Sequence, residues 1–129
     1  MKIKFTVEGR NPVGMSRPRK GKYGNIYVPR ETQDYEKVIG IYFMTAEGFR
    51  ELFHKVKSIK SPFIRIDMQC YFDSERHADT NNCWSLLADS IYKTLELPKS
   101  VGDKNFYGMI HRPEIDKQNP RLVVEISVN

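Results

Sequence analysis

The chain has 129 residues, 40% hydrophobic and 29% charged, with 8 Gly and 7 Pro, which suffices for one apolar core but not for several domains. Composition this close to the globular average excludes a disordered or fibrous chain, and with no run of about 18 apolar residues no membrane span is expected. The formal net charge of +5 permits a polyanionic partner without identifying one. Met1 to Gly9 is charged and alternating, unlike a secretion signal, so a cytoplasmic location is expected. The two cysteines, Cys70 and Cys83, lack the second pair that a zinc spacing needs and are expected to be reduced thiols.

In chain order, Ile3, Phe5 and Val7 alternate with polar neighbours and predict a half-buried strand over about residues 2 to 8. The charge is then concentrated. Residues 1–30 carry eight basic side chains against the single acid Glu8, a local +7 that leaves −2 for the remainder. Between about residues 9 and 30 the block is interrupted by Gly9, Pro12, Gly14, Pro18, Gly21 and Gly24, so it predicts a loop able to follow an extended anionic surface. Arg17, Arg19, Lys20 and Lys22 are its candidate DNA-binding residues; a solvated basic face is the plainer role for such a block.

Thr32 is placed to cap a helix with Asp34 and Glu36 in its first turn. Tyr35, Val38, Ile39, Tyr42, Phe43 and Ala46 would form its core face, continued in phase by Phe49, Leu52, Phe53 and Val56. Gly48 either bends one long helix or separates two. After Pro62, Ile64, Ile66, Met68, Cys70 and Phe72 give the clearest strand pattern in the chain. A second helix presents Trp84, Leu87, Ala88, Ile91, Tyr92 and Leu95, and two further strands are expected at 105–111 and at Leu122, Val124, Ile126 and Val128. The result is one α/β (α+β) domain spanning 1–129, with a mixed sheet, two main helices and the order βαβαββ.

Polar side chains gather where these elements end. Asp79, Asn81 and Asn82 precede or open the second helix, and Asn82, Ser85, Asp89 and Lys93 share a ridge opposite Trp84. Asp103 lies on the turn before the third strand and can fold back beside that ridge. Converging oxygens of this kind suit Mg²⁺, which takes one or two carboxylates, keeps several waters and binds phosphate. The same residues also suit structural roles, with Asp79 as a helix acid, Asn82 as a cap, Asp89 on a solvated face and Asp103 as a turn former. His54, His77 and His111 are widely separated, and only His77 lies near the acids.

The run Asp79-Thr80-Asn81-Asn82, Ser85 and Asp89 resembles the D-x-D-N-x-x-K-x-x-x-D signature of RusA-type Holliday-junction resolvases. Val101-Gly102-Asp103 is similar to the acid-bearing turn that follows it. Gly9-Arg10-Asn11-Pro12-Val13, Arg17-Pro18-Arg19, and Tyr27-Val28-Pro29 with Thr32, Tyr35 and Glu36 resemble that family's front loop. The resemblance implies a small, dimeric, Mg²⁺-dependent endonuclease that cuts branched DNA, with Mn²⁺ as an alternative metal. Asp79, Asn82 and Asp103 would hold the metal, Asp89 would orient that shell, and Asn81 and Lys104 would complete the catalytic set. Asn81 stands where the family has a second acid and Ser85 where it has a lysine. One negative and one positive charge are thereby lost, which leaves a DNA-binding relative with impaired cleavage as the alternative. The homodimer would be built on the apolar stripe from Tyr35 to Val56 or on Trp84 with Tyr92, if these are not simply core.

Overall fold

The computed structural model describes residues 1–16 and 18–128. Its main sheet is built from β1 (Lys2–Glu8), β4 (Ile64–Phe72), β5 (Phe106–Ile110), β6 (Glu114–Ile115) and β7 (Arg121–Val128), and a small hairpin from β2 (Arg19–Lys20) and β3 (Ile26–Tyr27). The helices are α1 (Arg30–Met44), α2 (Phe49–Ser58) and α3 (Thr80–Thr94), with a 3₁₀ turn at Asp103–Asn105. The strands lie in the spatial order β1-β7-β4-β5, with β6 continuing along the end of β4. β7 is antiparallel to both β1 and β4, whereas β5 and β6 are parallel to β4. The fold is a single small α+β domain with a mixed sheet.

Alternation explains the layers. Ile3, Phe5 and Val7, then Ile64, Ile66, Met68, Cys70 and Phe72, then Leu122, Val124, Ile126 and Val128 are all buried, as the period of two requires of one covered face. Register aligns them, with Ile126 beside both Ile3 and Ile66. The opposite face carries Lys4, Arg65 and Asp67 and balances its charges locally, through Lys2–Glu125 at 3.3 Å and Arg65–Asp67 at 3.3 Å.

Parallel strands need a crossover, and α3 supplies the one between β4 and β5. At Gly108 on β5, φ is +146° and a Cβ would run into the Ile66 carbonyl, so only glycine fits. Helices α1 and α3 lie side by side in the same direction: the Ser90 hydroxyl donates to the Glu36 carbonyl at 2.8 Å, and a methyl at Gly40 would sit 3.0 Å from Thr94 Oγ1.

The helical faces differ from expectation. Thr32 is not a cap: α1 opens after Pro29, and Thr32 is buried inside the first turn with its hydroxyl donating to Ser16 Oγ at 3.2 Å. Tyr42 is exposed, because the buried stripe of α1 runs through Thr32, Tyr35, Ile39, Gly40 and Phe43. On α3 the buried residues are Cys83, Leu86, Leu87, Ser90 and Ile91, with Trp84, Ala88 and Tyr92 on its flank. Small residues set this rotation by letting α1 and α3 approach closely. Gly48, at φ +89°, separates α1 from α2, and the expected βαβαββ order gains the β2–β3 hairpin and β6.

Candidate functional site

The basic segment is fastened to the end of β4 and to the start of α3. The Asp73 N–H donates to Asn11 Oδ1 at 2.8 Å, and the Met15 N–H donates to the Asn82 carbonyl at 2.9 Å. Gly14 is required here, since a Cβ would lie 2.9 Å from that of Asn82. Asn11–Ser16 therefore threads between the N-terminal ends of α1 and α3, tied to α1 by Ser16 and Thr32. Asp79, Asn82, Glu31, Arg76 and His77 line the hollow beside it. Asp79 caps α3, its Oδ1 accepting from the Asn81 N–H at 2.7 Å. The His77 ring stacks on Phe72 at 3.9 Å between centroids. Asn82 contributes its backbone carbonyl to this junction, and the Ser85 hydroxyl donates to the Asn81 carbonyl at 3.1 Å.

The remaining predicted acids, Asp89 on α3 and Asp103 on the 3₁₀ turn, sit elsewhere. Asp89 is ten residues beyond Asp79, about 15 Å along α3 at 1.5 Å per residue. Asp103 joins Asp89 there, and together with Ala88, Tyr92, Lys99 and Val101 they line a hollow of about 360 Å³. Burial and the neighbouring Glu36 charge raise the Asp89 pKa above the usual carboxylate value; Lys93 opposes this and Asp103 adds to it. Glu36 itself is bound by Lys93 Nζ at 2.6 Å. The corner thus brings Glu36 of α1, Asp89 and Lys93 of α3, and Asp103 of the 3₁₀ turn into electrostatic contact.

Asn105 holds that turn in place. It is 1% exposed; its Oδ1 accepts from the Gly102 N–H at 3.1 Å and its amide donates to the Pro62 carbonyl at 3.0 Å and to Ser61 Oγ at 3.3 Å. Its position two residues after Asp103 and three after Gly102 is the only sequence signal for this role. Lys99, which lines the hollow, lay outside the predicted set, whereas the predicted Lys104 is exposed on the turn and is not part of the hollow's lining.

Asp79 and Asn82 thus line one hollow, and Asp89 and Asp103 another. Among the described residues no group of three or more His, Cys, Asp or Glu side chains is arranged to hold a metal ion. Asp89 and Asp103 line the same hollow, and the Asp103 charge adds to the burial that raises Asp89. Of the predicted DNA-binding residues, Arg19, Lys20 and Lys22 are exposed on or beside the β2–β3 hairpin, and Arg17 lies outside the described residues.

Cys70 and Cys83 are free and buried. A hydrogen bond to Cys83, together with burial, pushes the Cys70 thiol up, so it remains protonated. No helix is long and apolar enough to cross a membrane, among the described residues. No protein-family model matches the chain, and no curated protein is significantly similar to it.

Proposed function

We propose that the protein is a divalent-metal-dependent, structure-selective endonuclease of RusA type that acts on branched DNA. The observation carrying this reading is that widely spaced motif pieces adjoin in space. The front-loop residues Asn11–Ser16 pack on Asn82 and Asp79, and Glu36 reaches the corner of Asp89 and Asp103.

In the proposed chemistry Asp89 and Asp103 would hold Mg²⁺ or Mn²⁺, and the bound ion would supply an activated water and neutralise charge on the attacked phosphate. Lys93 ties Glu36 beside that pair and limits the net charge of the corner. Lys99, which lines the same hollow, would meet a phosphate oxygen, a task Ser85 cannot perform with its hydroxyl turned back onto the helix. Arg19, Lys20 and Lys22 grip phosphates away from the cut, a contact that weakens steeply with added salt. A homodimer would present two such corners to opposed strands of a junction.

A non-cleaving branched-DNA-binding protein is the second reading, favoured by Asn81 and Ser85 and by the separation of Asp79 from Asp103. A labelled four-way junction incubated with Mg²⁺ or Mn²⁺ distinguishes the two. Cleavage that disappears in Asp89→Asn and Asp103→Asn while junction binding persists is expected of the nuclease. Tight, branch-selective binding without cleavage in either metal supports the second reading, and equal affinity for junction, linear duplex and heparin refutes both.

A further inference from the structure

The β2–β3 hairpin has surface chemistry unlike that of the rest of the domain. Its tip is a tight turn in which the Gly24 N–H donates to the Gly21 carbonyl at 3.0 Å, placing Lys22 and Tyr23 at the two corners. The Gly21 N–H donates to the Asn25 carbonyl at 2.6 Å, and Gly24 adopts φ +83°, which closes the turn without a bulky residue. Tyr23 is 89% exposed and Ile26 78%, the two most exposed large apolar side chains among the described residues. Lys22 Nζ lies 5.9 Å from the Tyr23 ring centroid.

From Pro18 to Pro29 the chain contains Arg19, Lys20 and Lys22 and no acid. None of these three forms a salt bridge with any described residue. On the open sheet face, by contrast, Lys2, Arg65 and Arg121 are each paired with a carboxylate and only Lys4 is without one among the described residues. A hairpin with two residues per strand has no core of its own, so projecting Tyr23 and Ile26 into water is unfavourable unless a partner covers them. The partner must therefore be anionic along its length and offer flat apolar surface between its charges. A nucleic acid with an unstacked base has both properties: phosphates for Arg19, Lys20 and Lys22, and a π-face for Tyr23.

We infer that the β2–β3 hairpin is a base-stacking probe, with Tyr23 seated against an unpaired or unstacked base at a DNA branch point and Ile26 wedged beside it. This rests on the branched-DNA reading above and gives that reading a source of selectivity: a continuous duplex keeps its bases stacked and pays an unstacking penalty that a branch point has already met.

The test uses the full chain as wild type, Tyr23→Ala, Tyr23→Phe and Lys22→Ala. Fluorescence anisotropy is recorded on a four-way junction and on a linear duplex of matching sequence, with phosphatidylglycerol vesicles in a parallel sedimentation assay. Tyr23→Ala should weaken junction binding by roughly 5- to 100-fold and leave duplex binding unchanged, while Tyr23→Phe binds both like wild type. Lys22→Ala should weaken both DNAs alike. Junction affinity unaltered by Tyr23→Ala, in a wild type that prefers junctions, would overturn the hairpin's role and leave the branched-DNA reading standing. A wild type with no preference for junctions would overturn both. Tyr23-dependent binding to vesicles without a Tyr23 effect on DNA would assign the tip to an anionic membrane surface and reject the inference.

Discussion

Asn105→Ala tests whether the turn bearing Asp103 is held by one buried side chain. The substitution removes three hydrogen bonds and leaves the Gly102 N–H and the Pro62 carbonyl without the partner that satisfies them. At about 1 kcal/mol net for each bond, with the orphaned backbone groups setting the upper end, the loss should be about 2–3 kcal/mol. For a domain of this size that corresponds to a fall in Tm of about 8 °C. Lys104→Ala on the same turn is the control, because Lys104 is exposed and makes none of these contacts; it should change stability by less than about 0.5 kcal/mol. Urea unfolding monitored by circular dichroism measures both. A cost below about 0.5 kcal/mol for Asn105→Ala would refute the assignment, because the Asp103 turn would then be held by something other than Asn105.

Three further outcomes are expected. Tyr35 is 1% exposed and its hydroxyl has no hydrogen-bond partner among the described residues, so Tyr35→Phe should leave stability unchanged or raise it by up to about 1 kcal/mol in the same urea assay. Asp89 is raised by burial and by Glu36, so its charged form opposes folding: stability is lost as the pH rises through its folded-state pKa. Asp89→Asn should therefore be more stable than wild type at neutral pH, with the gain vanishing below the ordinary value of 3.8, and Mg²⁺ should raise the Tm of wild type but not of this variant. Replacing Lys20 and Lys22 together by Ala should lower the slope of log binding constant against log salt by about 2 for duplex DNA, as measured by anisotropy between low and moderate salt.

The strands were legible because alternation survives in the amino-acid order: residues 2–8 read from Ile3, Phe5 and Val7 coincide with β1, and Ile64 to Phe72 with β4. The β2–β3 hairpin left no such trace, because its strands are two residues long and wholly exposed. The helices were legible in extent but not in rotation. Hydrophobicity pointed to Trp84 and Tyr42, whereas the faces that pack are set by how closely Gly40 and Ser90 let α1 and α3 approach.

The candidate site was legible residue by residue and not as an arrangement. Asp79 and Asp103 stand out by their places at element ends, and Asp89 by its place on the polar ridge of the helix. Their division into two hollows depends on the length of α3, because a 15-residue helix carries Asp89 and Asp103 away from the cap at Asp79. Lys99 and Glu36 enter the corner through tertiary packing, which no local spacing encodes, and Asn105 is recognisable only once the turn it closes is seen.

The proposed chemistry requires Asp89 and Asp103 to bind a divalent ion in the hollow they share. Anomalous diffraction from crystals of the full chain soaked in MnCl₂ addresses it directly. A manganese peak bound by the carboxylates of Asp89 and Asp103, absent from crystals of Asp103→Asn treated identically, is the predicted result. Manganese found only at other positions, or no ordered manganese at that corner in the wild type, would contradict it.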